Sequence, residues 1–283
     1  MAPTFDMTVS EAIRTAAEAL AGTSGTARLD AELLMAHALG ITRSDLLLRH
    51  MRDAVPDGFA PLLERRKACE PIAYITGYQE FYGRSFMATC ETLIPRSDSE
   101  CVVEAALQAV PDPARVLDCG VGTGALLLTV LSERSQAAGV GLDRSLGAMA
   151  VASQNAARLC LQDRTRILHA DWHEAGWRDD LGTFDLILAN PPYVETDAEL
   201  DPDVRGFEPA DALFAGPDGL DDYRVLVPQL ADLLGKGGVA VLEIGATQSE
   251  SVGGIAKNAG FSVECREDLG GRPRALILRH CRH

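Results

Sequence analysis

From Arg115 onward the chain alternates short apolar runs with helical stretches, and this alternation limits the folds open to it more than any other feature. "RVLDCG" reads as a strand, "TGALLLTVLSER" as a helix, "GVGLD" as a strand and "LGAMAVASQNAARLCL" as a helix, and "RILHAD" and "FDLILA" are further strands. A helix over "DDYRVLVPQLADLLG", the strand "GVAVLEIG", a helix over 247–259 and the strands "FSVECRE" and "RALILR" complete the series. Strands that alternate with helices pack as a mostly parallel sheet covered by helices on both faces. The last two strands are joined by only a short Gly/Arg connection, so one of them is expected to run antiparallel.

Before Arg115 the pattern is different. Thr8-Val9-Ser10-Glu11 has capping-box spacing ahead of "AIRTAAEAL". "RLDAELLMAHALG" sets Leu29, Leu33, Ala36 and His37 on one helical face and stops at Gly40. "TRSDLLLRH" and "FAPLLERRKA" read as two further short helices, and "GYQEFYGRSFMAT" turns β-rich around Gly83-Arg84, as a hairpin does. Ser97-Asp98-Ser99-Glu100 has the spacing of a second capping box, opening a helix through about Val110.

Charge divides along the same line. Residues 1–85 carry nine Lys/Arg against eleven Asp/Glu, whereas the rest carry seventeen against thirty, most of the net −15. An acidic body repels phosphate backbones, which argues against non-specific nucleic-acid binding. No run of eighteen uncharged apolar residues is present, and the first twenty residues lack the basic start of a signal peptide. The seven cysteines form no CxxC pair and no Cys/His metal spacing, so reduced thiols in the cytoplasm and no metal site are expected.

"VLDCGVGTGALL" places Gly120, Gly122 and Gly124 between a strand and a helix, where glycine lets the backbone approach a ligand closely. The next strand ends in Asp143, placed to accept hydrogen bonds from both hydroxyls of a ribose. Ala125 completes G-x-G-x-x-A, so the spacing also fits a dinucleotide fold. Asp118, just before the first glycine, would repel a pyrophosphate and suit a cationic ligand. Asp171-Trp172 ends the third strand with a carboxylate and a flat ring, suited to an adenine. S-adenosylmethionine, with a ribose, an adenine, an ammonium and a sulfonium but no phosphate, fits this set better than NAD.

The fourth strand, "FDLILA", stops on Asn190-Pro191-Pro192-Tyr193. The carboxyl ends of such strands form the ligand-binding rim of open α/β sheets. A planar amide or exocyclic amine presents two N–H donors there. The Asn190 side-chain carbonyl can accept one, and the backbone carbonyl beside the rigid Pro191 the other, while Tyr193 offers a ring face. Such a clamp fixes the nitrogen toward a methyl group and favours charge building on it.

With "EPIAYITGYQEFYG", "LIPRSDSE", "VLDCGVGTGA", "LILANPPYV", "FEPADALFAGPDGLDDYR" and "LEIG", the chain resembles, nearly end to end, the HemK/PrmC family of protein-(glutamine-N5) methyltransferases. The Asn-Pro-Pro-Tyr tetrapeptide alone is shared with adenine-N6 and guanine-N2 methyltransferases. The resemblance implies a Rossmann-like class I S-adenosylmethionine-dependent methyltransferase fold. Residues 1–75 would form a helical substrate-recognition domain, 76–90 a β-hairpin linker and 91–283 the catalytic domain. It implies that Gly120, Val121, Gly122, Thr123, Gly124, Asp143, Asp171, Trp172 and Asn190 hold the cofactor and that Asn190, Pro191, Pro192 and Tyr193 hold the glutamine, with Asn190, Pro191 and Tyr193 catalytic. Arg96 and Glu100 are candidates for the site wall. Ser97 and Ser99 stand where the family usually has Pro and Thr. Ser97 keeps a capping residue, and Ser99 would only partly replace a threonine contact. The implied substrate is the Gly-Gly-Gln glutamine of class 1 peptide chain release factors, met in the cytoplasm by a monomer, with no membrane or nucleic-acid partner. A ribosomal-protein glutamine methyltransferase and a nucleic-acid amino methyltransferase are the alternatives, and the latter would need a basic path that is not visible.

Overall fold

The computed structural model describes residues 7–280. The chain divides into two compact units, one of residues up to Tyr78 together with Leu200–Phe207, the other of Gln79–Glu199 with the chain from Glu208 onward.

The larger unit is built on seven strands, β3 (Arg115–Cys119), β4 (Ala138–Asp143), β5 (Thr165–His169), β6 (Phe184–Ala189), β7 (Leu234–Glu243), β8 (Phe261–Glu267) and β9 (Pro273–His280). Its hairpin strands β1 (Tyr78–Phe81) and β2 (Arg84–Met87) form a separate two-stranded sheet, turning through Tyr82 and Gly83 at φ 51° and 69°, the signs of a tight two-residue turn. The large sheet has the order β5-β4-β3-β6-β7-β9-β8, and β9 runs antiparallel to both its neighbours. Successive side chains of a strand face opposite ways, and the core follows this period of two. Val116, Leu186, Leu188 and Val241 pack with helices Glu100–Ala109 and Ala125–Glu133 on one face. Leu117, Ile187, Ala189 and Leu242 pack on the other with Tyr223, Leu226 and Val252. Burial on both faces explains why these strands read as unbroken apolar runs. The expected helix from Asp221 is broken into Asp221–Leu226, a 3-10 turn Val227–Gln229 and Leu230–Leu233, with Pro228 at the break. Strand order reverses between β3 and β6, the position at which a doubly wound sheet opens a crevice.

In the helical unit, Val9–Leu20 begins with the expected capping box. The Thr8 N–H donates to Glu11 Oε2 at 2.9 Å and the Glu11 N–H to Thr8 Oγ1 at 3.4 Å. Helix Ala27–Leu39 ends as expected at Gly40 but does not bury the expected face. Ala36 is buried, yet Leu29 is 40% exposed and the core side is carried by Ala31, Leu34 and Met35. The cause is charge pairing. Asp30 is drawn inward by the Arg66 guanidinium at 2.7 Å, and Glu32 is held by Arg28 and Arg43 at 2.9 and 2.7 Å.

The Ser97 capping box does not form. Ser97–Ser99 is a 3-10 turn that leads into helix Glu100–Ala109, and neither serine makes a cap bond. Glu100 is engaged elsewhere, since its Oε1 accepts the Tyr82 N–H of the hairpin turn at 2.8 Å. Among the described residues no cysteine is paired and no helix is long and apolar enough to cross a membrane. Cys281 lies outside the described residues.

Candidate active site

At the end of β3 the Gly120 and Val121 N–H groups both donate to the Leu142 carbonyl of β4, at 2.9 and 2.8 Å, which pins the glycine loop against the neighbouring strand. The Gly122 N–H donates to Asp143 Oδ2 and the Ser145 N–H to Asp143 Oδ1, each at 2.9 Å. Burial raises the Asp143 carboxyl above its ordinary range, and these two N–H groups and Arg144 oppose the shift. With its geometry fixed from behind, each carboxylate oxygen keeps a lone pair for a ligand hydroxyl.

A cavity of about 750 Å³ opens over this loop. Gly120–Thr123, Asp143, Asp171, Trp172, Asn190 and Pro192 all line it. Gly124, Pro191 and Tyr193 stand outside the lining. The absent Cβ of Gly124 would fall 2.7 Å from Leu128 Cδ1, so this glycine serves the packing of its own helix. Trp172 is fixed at two points. Its Nε1–H donates to Asp222 Oδ1 at 2.9 Å, and its carbonyl accepts from Gln229 Nε2 at 3.0 Å.

Asp118 also reaches the cavity. Its Oδ2 accepts the Leu127 N–H at 3.3 Å, whereas its buried Oδ1 has no hydrogen-bond partner among the described residues. Burial holds this carboxyl well above the usual range, and nearby Asp143 adds to the effect. A buried carboxyl with an orphaned oxygen, whose ionised form a cation would favour, lining the cavity beside Asp143 and Asp171 suits a ligand that is cationic and has no phosphate. S-adenosylmethionine meets that description.

Asn190, half-buried, is the first residue past β6, followed by two buried prolines. Tyr193 is held behind the rim. Its hydroxyl donates to Glu243 Oε1 at 3.4 Å, and its carbonyl accepts from Gln248 Nε2 at 3.0 Å. Gln248 Nε2 also reaches the Gly219 carbonyl at 3.2 Å, and the next residues are pinned by Val194 N–H to the Leu213 carbonyl at 2.8 Å.

Residues 11–77 match the PrmC N-terminal domain and residues 99–205 the methyltransferase small domain. A release factor glutamine methyltransferase of Cereibacter sphaeroides is 42% identical, over 96% of this chain and 99% of that one. The chain belongs to the release factor glutamine methyltransferase family. A second member, from Caulobacter vibrioides, is 39% identical over 88% of each chain. A solved methyltransferase from Pyrococcus furiosus superposes with a TM-score of 0.50 at 16% identity, over 70% of this chain and 89% of that one, which shows the fold. As a methyltransferase of this family the chain uses S-adenosylmethionine as methyl donor.

Within this family site, one wall was not legible in the spacing of residues. The strip Glu91–Arg96 and the turn at Pro209–Ala212 both line the cavity. Buried Glu208 joins them, accepting the Ile94 N–H at 3.1 Å with one oxygen and the Arg96 guanidinium with the other. Arg96 is thus in the wall, as its place in "LIPRSDSE" suggested, but Glu100 is not, because it serves the hairpin. The only signals were the segments "IPR" and "FEP" themselves; nothing in either announces that they meet.

Asp143→Ala removes an acceptor fixed by two backbone N–H groups. It is expected to weaken S-adenosylmethionine binding by about 1.5–3 kcal/mol, the range for hydrogen bonds to a charged group. Calorimetry showing unchanged affinity would remove Asp143 from the cofactor site.

Proposed function

We propose that this chain methylates the side-chain amide nitrogen of the glutamine in the Gly-Gly-Gln motif of peptide chain release factors, with the residues of the cavity in the following roles. S-adenosylmethionine, when bound, supplies a methyl group made electrophilic by its sulfonium. Asp143 takes the ribose hydroxyls, Asp118 and the Gly120–Thr123 loop face the amino-acid end, and Asp171 with the braced ring of Trp172 takes the adenine. The Asn190 side-chain carbonyl accepts one amide N–H of the glutamine, and the backbone carbonyl beside Pro191 accepts the other. Both bonds strengthen as the nitrogen becomes cationic, so they favour the transition state over the ground state. No base is needed before attack, because the proton leaves after the nitrogen has gained its charge.

One observation carries this reading: Asn190 and Pro192 share a cavity with the acid-lined glycine loop, in a chain that matches the family nearly end to end. The acidic catalytic unit disfavours a nucleic-acid substrate, and the chain is read as a cytoplasmic monomer. Mass spectrometry of release factors from cells lacking the gene tests the substrate directly. An unchanged level of methylated glutamine would redirect the search to other proteins.

The helical unit is assigned to partner recognition. None of its described residues lines the cavity, and it presents Leu29, Leu47 and Leu48 to solvent, the last 79% exposed. Exposed leucines on a small domain are poor for solubility and suited to a protein partner. Leu48→Glu is expected to lower kcat/KM for intact release factor about tenfold, the scale of one interface residue worth more than 1 kcal/mol, and to leave a free Gly-Gly-Gln peptide unaffected. Equal loss on both substrates, or on neither, would place recognition in the catalytic unit.

A further inference from the structure

Behind the Asn-Pro-Pro-Tyr segment lies a polar cluster that no step above employs. Glu243, at the carboxyl end of β7, is 1% exposed. Its Oε1 accepts the Tyr193 hydroxyl at 3.4 Å, and its Oε2 has no hydrogen-bond partner among the described residues. The Tyr223 hydroxyl donates to the Glu243 backbone carbonyl at 2.7 Å and locks the strand end. Arg274 of β9 is near, but its Nη2 is shared between Asp98 at 3.3 Å and Asp268 at 3.4 Å.

Burying a carboxyl group with an unmatched oxygen is costly, and a leucine of similar volume would cost less. Such a group persists most often where a site needs it. What Glu243 does is visible in the partner it has on the clamp segment. The Asn190–Tyr193 segment is anchored at its start by β6, and at its end by the Tyr193 carbonyl on Gln248 and the Tyr193 hydroxyl on Glu243. Two prolines between these anchors make the segment stiff, so a shift at Tyr193 is transmitted to Asn190 and not absorbed.

We propose that Glu243 is a positioning residue: its carboxylate holds the Tyr193 hydroxyl and thereby sets the angle at which Asn190 meets the substrate amide, without touching the substrate. The inference rests on the clamp reading of Asn190. Burial raises the Glu243 carboxyl to about 7, against Ser99, Arg274 and Tyr193, which favour the ionised form, and with Asp98, which disfavours it. Tyr223, Asp268 and Arg96, which acts on Tyr193, also face the cluster. Since the ionised form is the better acceptor, turnover should rise as pH increases through about 7.

The test uses the full chain, with a Gly-Gly-Gln peptide and saturating S-adenosylmethionine. E243L is expected to lower kcat about tenfold and to change cofactor affinity less than about twofold, the mark of misplacement and not of lost binding. Y193F should match it, and the double variant should be no slower than either single one, because both remove the same link. E243Q, which keeps an acceptor, should stay within about threefold of wild type and lose the rise in kcat near pH 7. Multiplying losses in the double variant, wild-type kcat in E243L, or an unchanged pH profile in E243Q would each overturn the inference. If E243L fails to fold, the E243Q profile decides alone. Wild-type protein inactive on both the peptide and intact release factor would overturn the clamp reading and this inference with it; active wild type with indifferent variants would overturn this inference only.

Discussion

Asn190→Ala is expected to lose on the order of a hundredfold or more in turnover while keeping the fold, by analogy with removal of a single oxyanion-hole donor. The side chain follows β6 directly, is only half buried, and belongs to neither hydrophobic cluster of the sheet. Removing it therefore leaves the packing of Leu186, Ile187 and Leu188 untouched. On the proposed clamp, what is lost is one of two acceptors aimed at the reacting nitrogen, and with it the orientation of the amide. Cofactor affinity is expected to fall modestly, since Asn190 shares a cavity wall with the glycine loop. Thermal melting together with kcat at saturating substrates checks both halves of this expectation. A folded variant retaining more than about a third of wild-type turnover would sink the clamp, because that loss is far below the range for a lost transition-state contact.

Gly219→Ala is expected to damage the same clamp from behind. Gly219 has φ +65°, and a Cβ there would stand 2.3 Å from the Tyr193 carbonyl oxygen and 2.8 Å from Gln248 Nε2. The first of these is backbone and cannot swing aside. The left-handed conformation costs an L-residue about 1–2 kcal/mol by itself, and relief of the clash must displace Tyr193 or break its bond to Gln248. We expect a total loss of about 2–4 kcal/mol in stability and at least a tenfold loss in kcat below the melting range. Gly237→Ala is the control for conformation alone: it has φ +80° but nothing within 4 Å of its missing Cβ, and should keep full activity. Equal behaviour of the two variants would show that the close approach at Tyr193 is unimportant.

The sheet and the first half of the site were legible because their causes are local. Strands such as β6 are buried on both faces, so their sequences are apolar without interruption, and the glycine loop and Asn-Pro-Pro-Tyr must fall where the strands end. Features that depend on distant charges were not legible. The periodicity of "RLDAELLMAHALG" points Leu29 inward, but Asp30 and Glu32 turn the helix toward Arg66 and Arg43 instead. Ser97-Asp98-Ser99-Glu100 has the right spacing for a cap, yet Glu100 is taken by Tyr82 and Asp98 by Arg272 and Arg274. Glu208 and Glu243 look in the sequence like ordinary surface acids, and only the folded chain shows them buried against Arg96 and Tyr193.

The assignment of Leu200–Phe207 to the helical unit bears on how the protein is born. Protein synthesis is vectorial, and domains that emerge first generally fold first. Here the first domain to leave the ribosome is not finished when Tyr78 appears. Asp203, which lies 3.7 Å from Arg66, is made only after Gln79–Glu199, and with it the sheet through β6. Until then the Arg66–Asp30 pair lacks its third member. The nascent amino-terminal unit can close its core, which lies wholly within residues 9–75, but gains this last ion pair only from a segment encoded in the middle of the catalytic unit. A gene cut between the two units would yield one piece short of a contact and another carrying a stretch with nowhere to dock.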